Sequence, residues 1–215
     1  MAHGRALTIQ NLIDYKPKTM GFTGTWLDML GDPEPFGSWI IYGSSGQGKT
    51  RFTLQLTKYL MSFNGIRVAY DSLEEGVSET YKRAIIDTGV HTETHGHFEF
   101  WDRKDYDEMI AILKKKRSAN VVIIDSLQYM NINYDQYKEL IETFPKKLFL
   151  WISHESGSKP DGSTAKKVLY NSNIKIRVTN YYAHIVSRYN GKHIFDIWPE
   201  YHNQLNENNH GNPQQ

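Results

Sequence analysis

The segment GSSGQGKT at residues 43–50 constrains the fold of this chain more than any other feature. It fits the pattern G-x-x-x-x-G-K-[ST] at every fixed position, and it lies between an apolar run, SWIIYG, and a helical pattern. In such a segment the glycines let successive backbone amides turn toward phosphate oxygens, and the helix directs its positive N-terminal end at the same point. The segment therefore predicts a strand, a phosphate-binding loop and a helix within an α/β domain.

Individual roles follow from this loop. Lys49 is expected to reach the β- and γ-phosphates of a nucleotide, and Thr50 to coordinate Mg²⁺. The residues predicted to bind the nucleotide are Gly43, Ser44, Ser45, Gly46, Gln47, Gly48, Lys49, Thr50 and Arg51.

Short apolar runs alternate with helical stretches from residue 38 onward. Strands are predicted at 38–43, 66–73, 97–101, 121–125 and 147–153, and the intervening stretches have helical spacing. Three β-rich runs, NIKIRV, AHIVSRY and HIFDIW, then follow with turn-like breaks. The sequence therefore predicts an α/β fold: a mostly parallel central sheet flanked by helices, with a C-terminal antiparallel β-meander.

Length and composition limit the alternatives. A chain of 215 residues fits one α/β domain, predicted at 38–202, with a lead-in at 1–37 that packs on its own domain or on a neighbour and a disordered polar tail at 203–215. Lys plus Arg (25) nearly balances Asp plus Glu (24), so no global charge favours nucleic acid. The absence of cysteine excludes disulfides and thiolate sites, and no signal peptide or membrane span is evident. A cytoplasmic protein without membrane association is expected.

Asp125 closes the apolar run VVII and is the predicted metal-holding aspartate. Ligands in open α/β sheets gather at the carboxyl ends of the strands, which is where this carboxylate should lie. Thr50 and Asp125 together are the predicted Mg²⁺ site. An aspartate that merely caps the next element is the alternative.

The order GSSGQGKT, YDSLEE, VVIIDSLQ and LWISHESGSKPDG resembles the core of the RecA superfamily, and in particular its RadA, KaiC and DnaB-type branch. The resemblance covers roughly residues 38–198. It implies ATP and Mg²⁺ as cofactors, and it implies that Glu74 polarises the attacking water, with Glu75 as the second candidate. The alternative for both glutamates is a solvated helix start.

The same resemblance extends to the loop after the fifth predicted strand and to the last strands. Ser153 and His154 are candidates to sense the γ-phosphate and to signal to a mobile loop at 155–164, although an ordinary surface histidine is the alternative. Arg188 occupies the position of an arginine finger that acts on the neighbouring subunit. Val186 stands where the family has a first basic residue, so Lys175 or Arg177 is proposed to supply that charge.

A role on a polymer follows from family analogy alone. The segment LQYMNINYDQY at 127–137 corresponds to a DNA-contacting loop in this superfamily, and Tyr129 and Tyr134 either stack on bases or pack against the sheet. Resembling minimal phage or mobile-element ATPases, the chain is predicted to hydrolyse ATP and to act on single-stranded DNA in recombination, replication or repair. A homo-oligomer, as a hexamer-like ring or helical filament, is expected. A KaiC-like regulatory ATPase without DNA contact is the alternative; a metabolite kinase is disfavoured because no arginine-bearing lid helix is evident.

Overall fold

The computed structural model describes residues 6–191 and 193–210, with side chains to residue 204. The strands in these ranges are β1 (Gly37–Tyr42), β2 (Arg67–Ser72), β3 (His97–Asp102), β4 (Val121–Asp125), β5 (Leu148–Ser153), β6 (Glu155–Ser156), β7 (Lys159–Pro160), β8 (Ile174–Thr179), β9 (Tyr182–Ser187) and β10 (Ile194–Asp196). The α-helices are α1 (Ile9–Ile13), α2 (Gly24–Leu30), α3 (Lys49–Met61), α4 (Glu79–Thr88), α5 (Tyr106–Leu113), α6 (Leu127–Met130), α7 (Tyr134–Thr143), α8 (Ser163–Asn171) and α9 (Pro199–His210). A short 3-10 helix spans Val90–Thr92.

Eight of these strands form one sheet in the order β10-β9-β8-β1-β5-β4-β2-β3. The six strands from β3 to β8 in this order pair in parallel, while β9 and β10 are antiparallel. Strands β6 and β7 form a separate antiparallel hairpin. The prediction of a mostly parallel sheet with antiparallel C-terminal strands is confirmed. Because parallel strands end at one edge, the loops after β1, β2, β4 and β5 meet there.

Both faces of the sheet are covered, as a parallel sheet requires. On one face, helices α2, α3 and α4 contribute buried residues such as Leu30, Phe52 and Tyr81. On the other face, α5, α7 and α8 contribute residues such as Met109, Leu140 and Val168. The central strands are accordingly apolar runs with no alternation, and β5 is buried along its whole length. None of the helices in the described ranges is long and apolar enough to cross a membrane.

The lead-in divides into two parts. Phe22 and the α2 residue Leu30 are buried in the main core, and the Trp26 ring stacks on Tyr59 of α3 with centroids 5.2 Å apart. Residues from about 20 onward thus belong to the domain. Helix α1, by contrast, contains no buried residue.

The predicted disordered tail at 203–215 lies partly within the described residues, which end at 210. Residues up to His210 continue helix α9, while 211–215 lie outside the described residues. The helix starts at Pro199, whose fixed φ suits a first helical position. Its first turn is anchored because Tyr201 and His202 pack against Tyr181 and Tyr182 of the β8–β9 hairpin. Sequence polarity beyond residue 203 does not reveal this anchor.

Candidate nucleotide site

The loop at residues 43–50 connects β1 to α3 at the carboxyl edge of the sheet. The Gly43 amide donates to the Ser153 carbonyl at 3.3 Å, which ties the start of the loop to the end of β5. A side chain at position 43 would place its Cβ only 2.1 Å from the Val178 carbonyl oxygen on β8. Gly48 precedes α3 with a φ of +99°. Glycine is thus required at both positions, for space at the first and for backbone conformation at the second.

Lys49 lies at the first position of α3 and folds back over the loop. Its ammonium group donates to the Gly43 and Ser44 carbonyl oxygens, each at 2.9 Å. Burial lowers the pKa of Lys49, and the carboxylates of Asp125 and Glu74 oppose that shift. The lysine is therefore held where phosphate would sit, by weak carbonyl partners that a phosphate can replace.

Asp125 ends β4, with its carboxylate facing the loop region. The Tyr70 hydroxyl on β2 donates to Asp125 Oδ2 at 2.6 Å, and burial raises the pKa of Asp125 to about 6 although this bond lowers it. Thr50 lines the same cleft and offers a hydroxyl oxygen. Two hard oxygen ligands suit Mg²⁺, which is commonly held by one or two protein groups together with substrate phosphates. No set of three or more carboxylate or histidine side chains that could hold a metal ion gathers in the described residues.

The turn after β2 carries the two glutamates and is hydrogen-bonded to the end of β4, where Asp125 lies. The amides of Leu73 and Glu74 donate to the Asp125 carbonyl oxygen at 2.7 and 3.2 Å. Ser72 pairs with Asp125 in the sheet register. Glu74 and Glu75 are both exposed, and both line the cleft. The sheet register and these hydrogen bonds thus place Glu74 beside Asp125.

His154 follows β5 and contacts Glu74 directly. Its Nε2 atom lies 2.9 Å from Glu74 Oε2. The His154 amide donates to Gln128 Oε1 at 3.1 Å, and Gln128 Nε2 donates to Ser153 Oγ at 2.9 Å and to the Asp161 carbonyl at 2.8 Å. Gln128 therefore joins the loop after β4 to the loop after β5.

A second support for the glutamate turn comes from the loop after β3. Arg103 Nη2 donates to the Glu75 carbonyl at 2.9 Å. A Cβ at Gly76 would lie 2.7 Å from Arg103 Nη1, so the guanidinium packs closely against this glycine. This loop is fixed in turn because the Lys104 amide donates to buried Asp71 Oδ1 at 3.0 Å.

One cleft of about 480 Å³ brings these groups together. It is lined by the phosphate loop, by the carboxylates of the turn and of β4, by His154, by residues of α4, and by Arg51, Tyr181 and Trp198. Gln47 takes another part: its side-chain oxygen accepts from the Asn180 amide at 2.6 Å. Of the predicted loop residues, Ser45, Gly46 and the run from Gly48 to Arg51 therefore lie around one opening with Glu74, Glu75, Asp125 and His154.

The basic residues of the last strands, Lys175, Arg177 and Arg188, are not among the residues that line this cleft. The Arg188 amide donates to the Asn173 carbonyl at 3.0 Å, which places Arg188 near the start of β8 and at the opposite edge of the sheet from the phosphate loop. Arg177 is engaged within its own chain, since its Nε donates to Glu155 Oε1 at 2.9 Å. Lys175 faces Val186 across the β8–β9 pair. Arg177 is thus already neutralised by its own chain, which weakens the expectation that it supplies a finger charge.

The two loop tyrosines differ. Tyr129 on α6 is 55% exposed, and its ring lies 6.2 Å from that of His154. Tyr134 stacks on Tyr137 with centroids 5.8 Å apart and packs against the core. Of the two alternatives in the sequence, base stacking is open to Tyr129, while Tyr134 packs against its own domain.

No known family model matches the chain, and no curated protein sequence matches it either. Among solved structures, the chain is similar to the KaiC-like protein PH0186 from Pyrococcus horikoshii OT3, with a TM-score of 0.54 and 16% identity over 80% of this chain and 88% of that one. A second solved structure, an ATPase domain, gives a TM-score of 0.48 with 14% identity, covering 74% of this chain and 80% of that chain. For the flagellar accessory protein FlaH from Methanocaldococcus jannaschii the TM-score is 0.47 with 14% identity, covering 70% and 78%.

The chain has the fold of the RecA-like P-loop ATPases. Within this RecA-like fold, sequence reasoning missed Tyr70, Gln128 and Arg103, which hold the candidate residues in place, and the aromatic residues of the cleft. Tyr70 and Arg103 act across neighbouring strands, so only the sheet register reveals them. Gln128 follows Asp125 by three residues, and its position at the turn after β4 was the one available signal.

Proposed function

We propose that this chain is an Mg²⁺-dependent, RecA-like ATPase that acts on single-stranded DNA, in recombination, replication or repair, as an oligomeric ring or filament. The observation that carries the proposal is the shared cleft, in which the Glu74 backbone amide donates to the Asp125 carbonyl and Glu74 lines the same opening as the phosphate loop. The RecA-like fold supports nucleotide and Mg²⁺ use in general. The DNA and oligomer parts of the proposal rest on Tyr129, Lys159 and Arg188.

In the proposed reaction, Glu74 orients a water molecule and accepts its proton as the water oxygen attacks the γ-phosphorus. The bond to the bridging oxygen breaks, and ADP and phosphate result. Lys49 exchanges its carbonyl partners for phosphate oxygens and stabilises their negative charge. Mg²⁺, held through Thr50 and Asp125, would neutralise further phosphate charge when bound.

His154 supplies a link from this chemistry to the outer edge of the domain. It holds Glu74 at 2.9 Å, and its backbone is joined through Gln128 to Asp161 in the segment after the β6–β7 hairpin. A γ-phosphate that competes for His154 would release Glu74 toward the attacking water. The same displacement would pull on Gln128 and on the hairpin segment.

Support for a nucleic-acid surface comes from the outer edge of these loops. Tyr129 is exposed beside His154, and Lys159 is exposed on β7. An aromatic ring that stacks on bases and a cation that pairs with phosphates are the two elements of sequence-independent single-strand binding. The nucleotide cleft and this surface share His154, which gives a route for DNA to alter hydrolysis.

Hydrolysis is tested with the wild-type protein and matched variants, measured with saturating Mg-ATP. Lys49→Ala should lose binding and hydrolysis, whereas Glu74→Gln should keep ATP binding and lose hydrolysis about 10²- to 10⁴-fold. Glu75→Gln identifies which glutamate acts as the base, and exposed Glu79→Gln on α4 is the control. Full hydrolysis by Glu74→Gln would refute the proposed base.

The DNA part is tested by adding oligo(dT) to the same assay and by measuring retention of DNA as salt rises. Oligo(dT) should stimulate ATP hydrolysis by the wild type and should not stimulate hydrolysis by Tyr129→Ala. Tyr170→Ala is the matched control, because Tyr170 is 70% exposed but lies near the far end of α8. Hydrolysis that ignores DNA, without salt-dependent retention, would refute the DNA role and favour a regulatory ATPase of the KaiC kind.

Arg188 is proposed to act on a neighbouring subunit. Strand β8 has six residues, so its two ends are roughly 17 Å apart and Arg188 cannot reach its own phosphate loop. Arg188→Ala and Lys49→Ala should each be inactive alone. Mixed together, they should recover part of the activity, because some shared sites then combine an intact loop with an intact arginine. Absence of any recovery in mixed oligomers would refute action in trans.

A further inference from the structure

Two aromatic residues, Tyr181 and Trp198, line part of the cleft. The Trp198 indole, which is partly exposed, lies against the Arg51 guanidinium, whose Cζ atom is 4.4 Å from the ring centroid. Tyr181 packs edge-on against Trp198 with centroids 5.3 Å apart. All three line the same opening as the phosphate loop, and Arg51 directly follows the predicted Mg²⁺ ligand Thr50.

Tyr181 is placed there by an unusual turn. Asn180 and Tyr181 connect β8 to β9 with φ values of +48° and +57°. Such angles match a tight hairpin turn that favours glycine or asparagine, so a tyrosine there is uncommon. The Tyr181 amide donates to the Gln47 carbonyl at 3.1 Å, and a Cβ at Gly48 would lie 2.7 Å from the Tyr181 ring. The hairpin turn is therefore hydrogen-bonded to the phosphate loop and packs against it.

Trp198 is fixed just as firmly. Its amide donates to Asp196 Oδ1 at 3.0 Å, and Gln55 of α3 donates to the neighbouring Ile197 carbonyl at 3.0 Å. The indole thus has a set position relative to α3 and its first turn. In addition, Arg51 Nε is buried without a hydrogen-bond partner among the described residues, although a buried guanidinium nitrogen is normally satisfied.

The Arg51 guanidinium lies over the Trp198 indole beside the phosphate loop. Such a pair is suited to stacking on a flat heteroaromatic ring. Tryptophan and arginine both stack on nucleobases, and neither requires a particular pattern of base hydrogen bonds. We propose that Trp198, with Arg51 and Tyr181, forms the nucleobase subsite of the cleft and favours purines, whose ring area is the larger. The inference rests on the proposed nucleotide binding and extends it to the base.

A packing role alone would give a different result. Trp198 also stacks on Tyr201 with centroids 5.5 Å apart, so it helps to anchor α9. If it only packs, its removal should lower stability and should affect every ligand of the cleft alike. If Trp198 holds the base, its removal should weaken the binding of nucleotides and leave the binding of a base-free polyphosphate unchanged.

The test compares Mg-ATP, Mg-CTP and Mg-tripolyphosphate by calorimetry on the full chain. Trp198→Ala should weaken Mg-ATP binding about 10-fold or more and should leave the affinity for Mg-tripolyphosphate within about twofold of the wild-type value. The ratio of the affinities for Mg-ATP and Mg-CTP should become smaller. Trp198→Phe, which keeps an aromatic ring, should retain most of the ATP affinity. Equal weakening of ATP and tripolyphosphate, or no change for ATP, would overturn the subsite.

Fluorescence gives a second readout that does not depend on folding of the alanine variant. Trp39 and Trp151 are fully buried, Trp101 is 6% exposed, and the partly exposed Trp26 stacks on Tyr59 and does not line the cleft. A stacked base should therefore quench mainly Trp198. Mg-ATP should quench the wild type but not Trp198→Phe, and quenching that persists in Trp198→Phe would contradict the proposal. The wild type separates the two claims: binding of neither Mg-ATP nor Mg-tripolyphosphate refutes the nucleotide site, whereas equal affinity for both ligands refutes the base subsite alone.

Discussion

Replacing Asp71 with asparagine should change how the stability of this protein depends on pH. Asp71 lies on β2, fully buried, with Oδ1 accepting from the Lys104 amide and Oδ2 without a partner in the described residues. Burial raises its pKa from 3.8 to about 7, against the Lys104 amide and ammonium groups, which lower it; Glu108 and Asp102 raise it slightly further. Asparagine has the same shape and keeps an oxygen for the Lys104 amide.

The sign and size follow from linkage between protonation and folding. Between about pH 4 and pH 7 the folded protein holds the Asp71 proton while the unfolded chain has lost it, so the free energy of unfolding falls as pH rises through this window. With 1.36 kcal/mol per unit of pKa difference, the loss is roughly 1.5 kcal/mol at pH 5 and roughly 4 kcal/mol at pH 7. Above pH 7 the loss reaches a plateau. The asparagine variant does not ionise and escapes this loss.

The measurement is urea unfolding of wild type and Asp71→Asn at intervals from pH 4 to pH 8. The difference in unfolding free energy should grow in favour of the variant from pH 4 to about pH 7 and then stay constant. Asp28→Asn, an exposed change on α2, is the control and should follow the wild type. A difference between wild type and Asp71→Asn that is flat over the whole range would refute the assignment of a raised pKa to this carboxyl group.

Three further changes test other contacts. Gly43→Ala places a methyl group 2.1 Å from a β8 carbonyl oxygen and should destabilise the folded protein by about 3 kcal/mol or prevent folding. Thermal melts measure this effect, and an unchanged melting temperature would contradict it. Arg103→Ala should slow ATP hydrolysis several-fold through the Glu74 turn with ATP affinity retained, and Arg103→Lys should restore little; unaltered turnover would remove its positioning role. A double-mutant cycle on Arg177 and Glu155 should show coupling of about 1–3 kcal/mol in stability, and additivity would show that the pair is not formed.

Sequence patterns predicted the sheet well because the determining signals are local. An apolar run such as VVIID reads as a buried strand wherever it occurs, and the phosphate loop fixes the strand and helix on either side of it. The sheet register then determines how the site is assembled. Because Ser72 of β2 pairs with Asp125 of β4, Glu74 lies beside Asp125. Contacts between distant segments could not be predicted in this way. Trp198 contacts Arg51 across 147 positions of the chain, and no periodicity signals such a contact.

The hydrogen bonds also determine which parts of the site can move separately. The Glu74 amide donates to the Asp125 carbonyl, so the backbones of the predicted base and the predicted metal ligand are joined and it is the Glu74 side chain that can move. His154 differs, because its amide is held by Gln128, which also holds the Asp161 carbonyl after the β6–β7 hairpin. A ligand that shifts the hairpin therefore acts on His154 before it acts on Asp125. If DNA alters hydrolysis, the change should appear in the release of Glu74 by His154 and hence in turnover, while the affinity for Mg-ATP stays nearly constant.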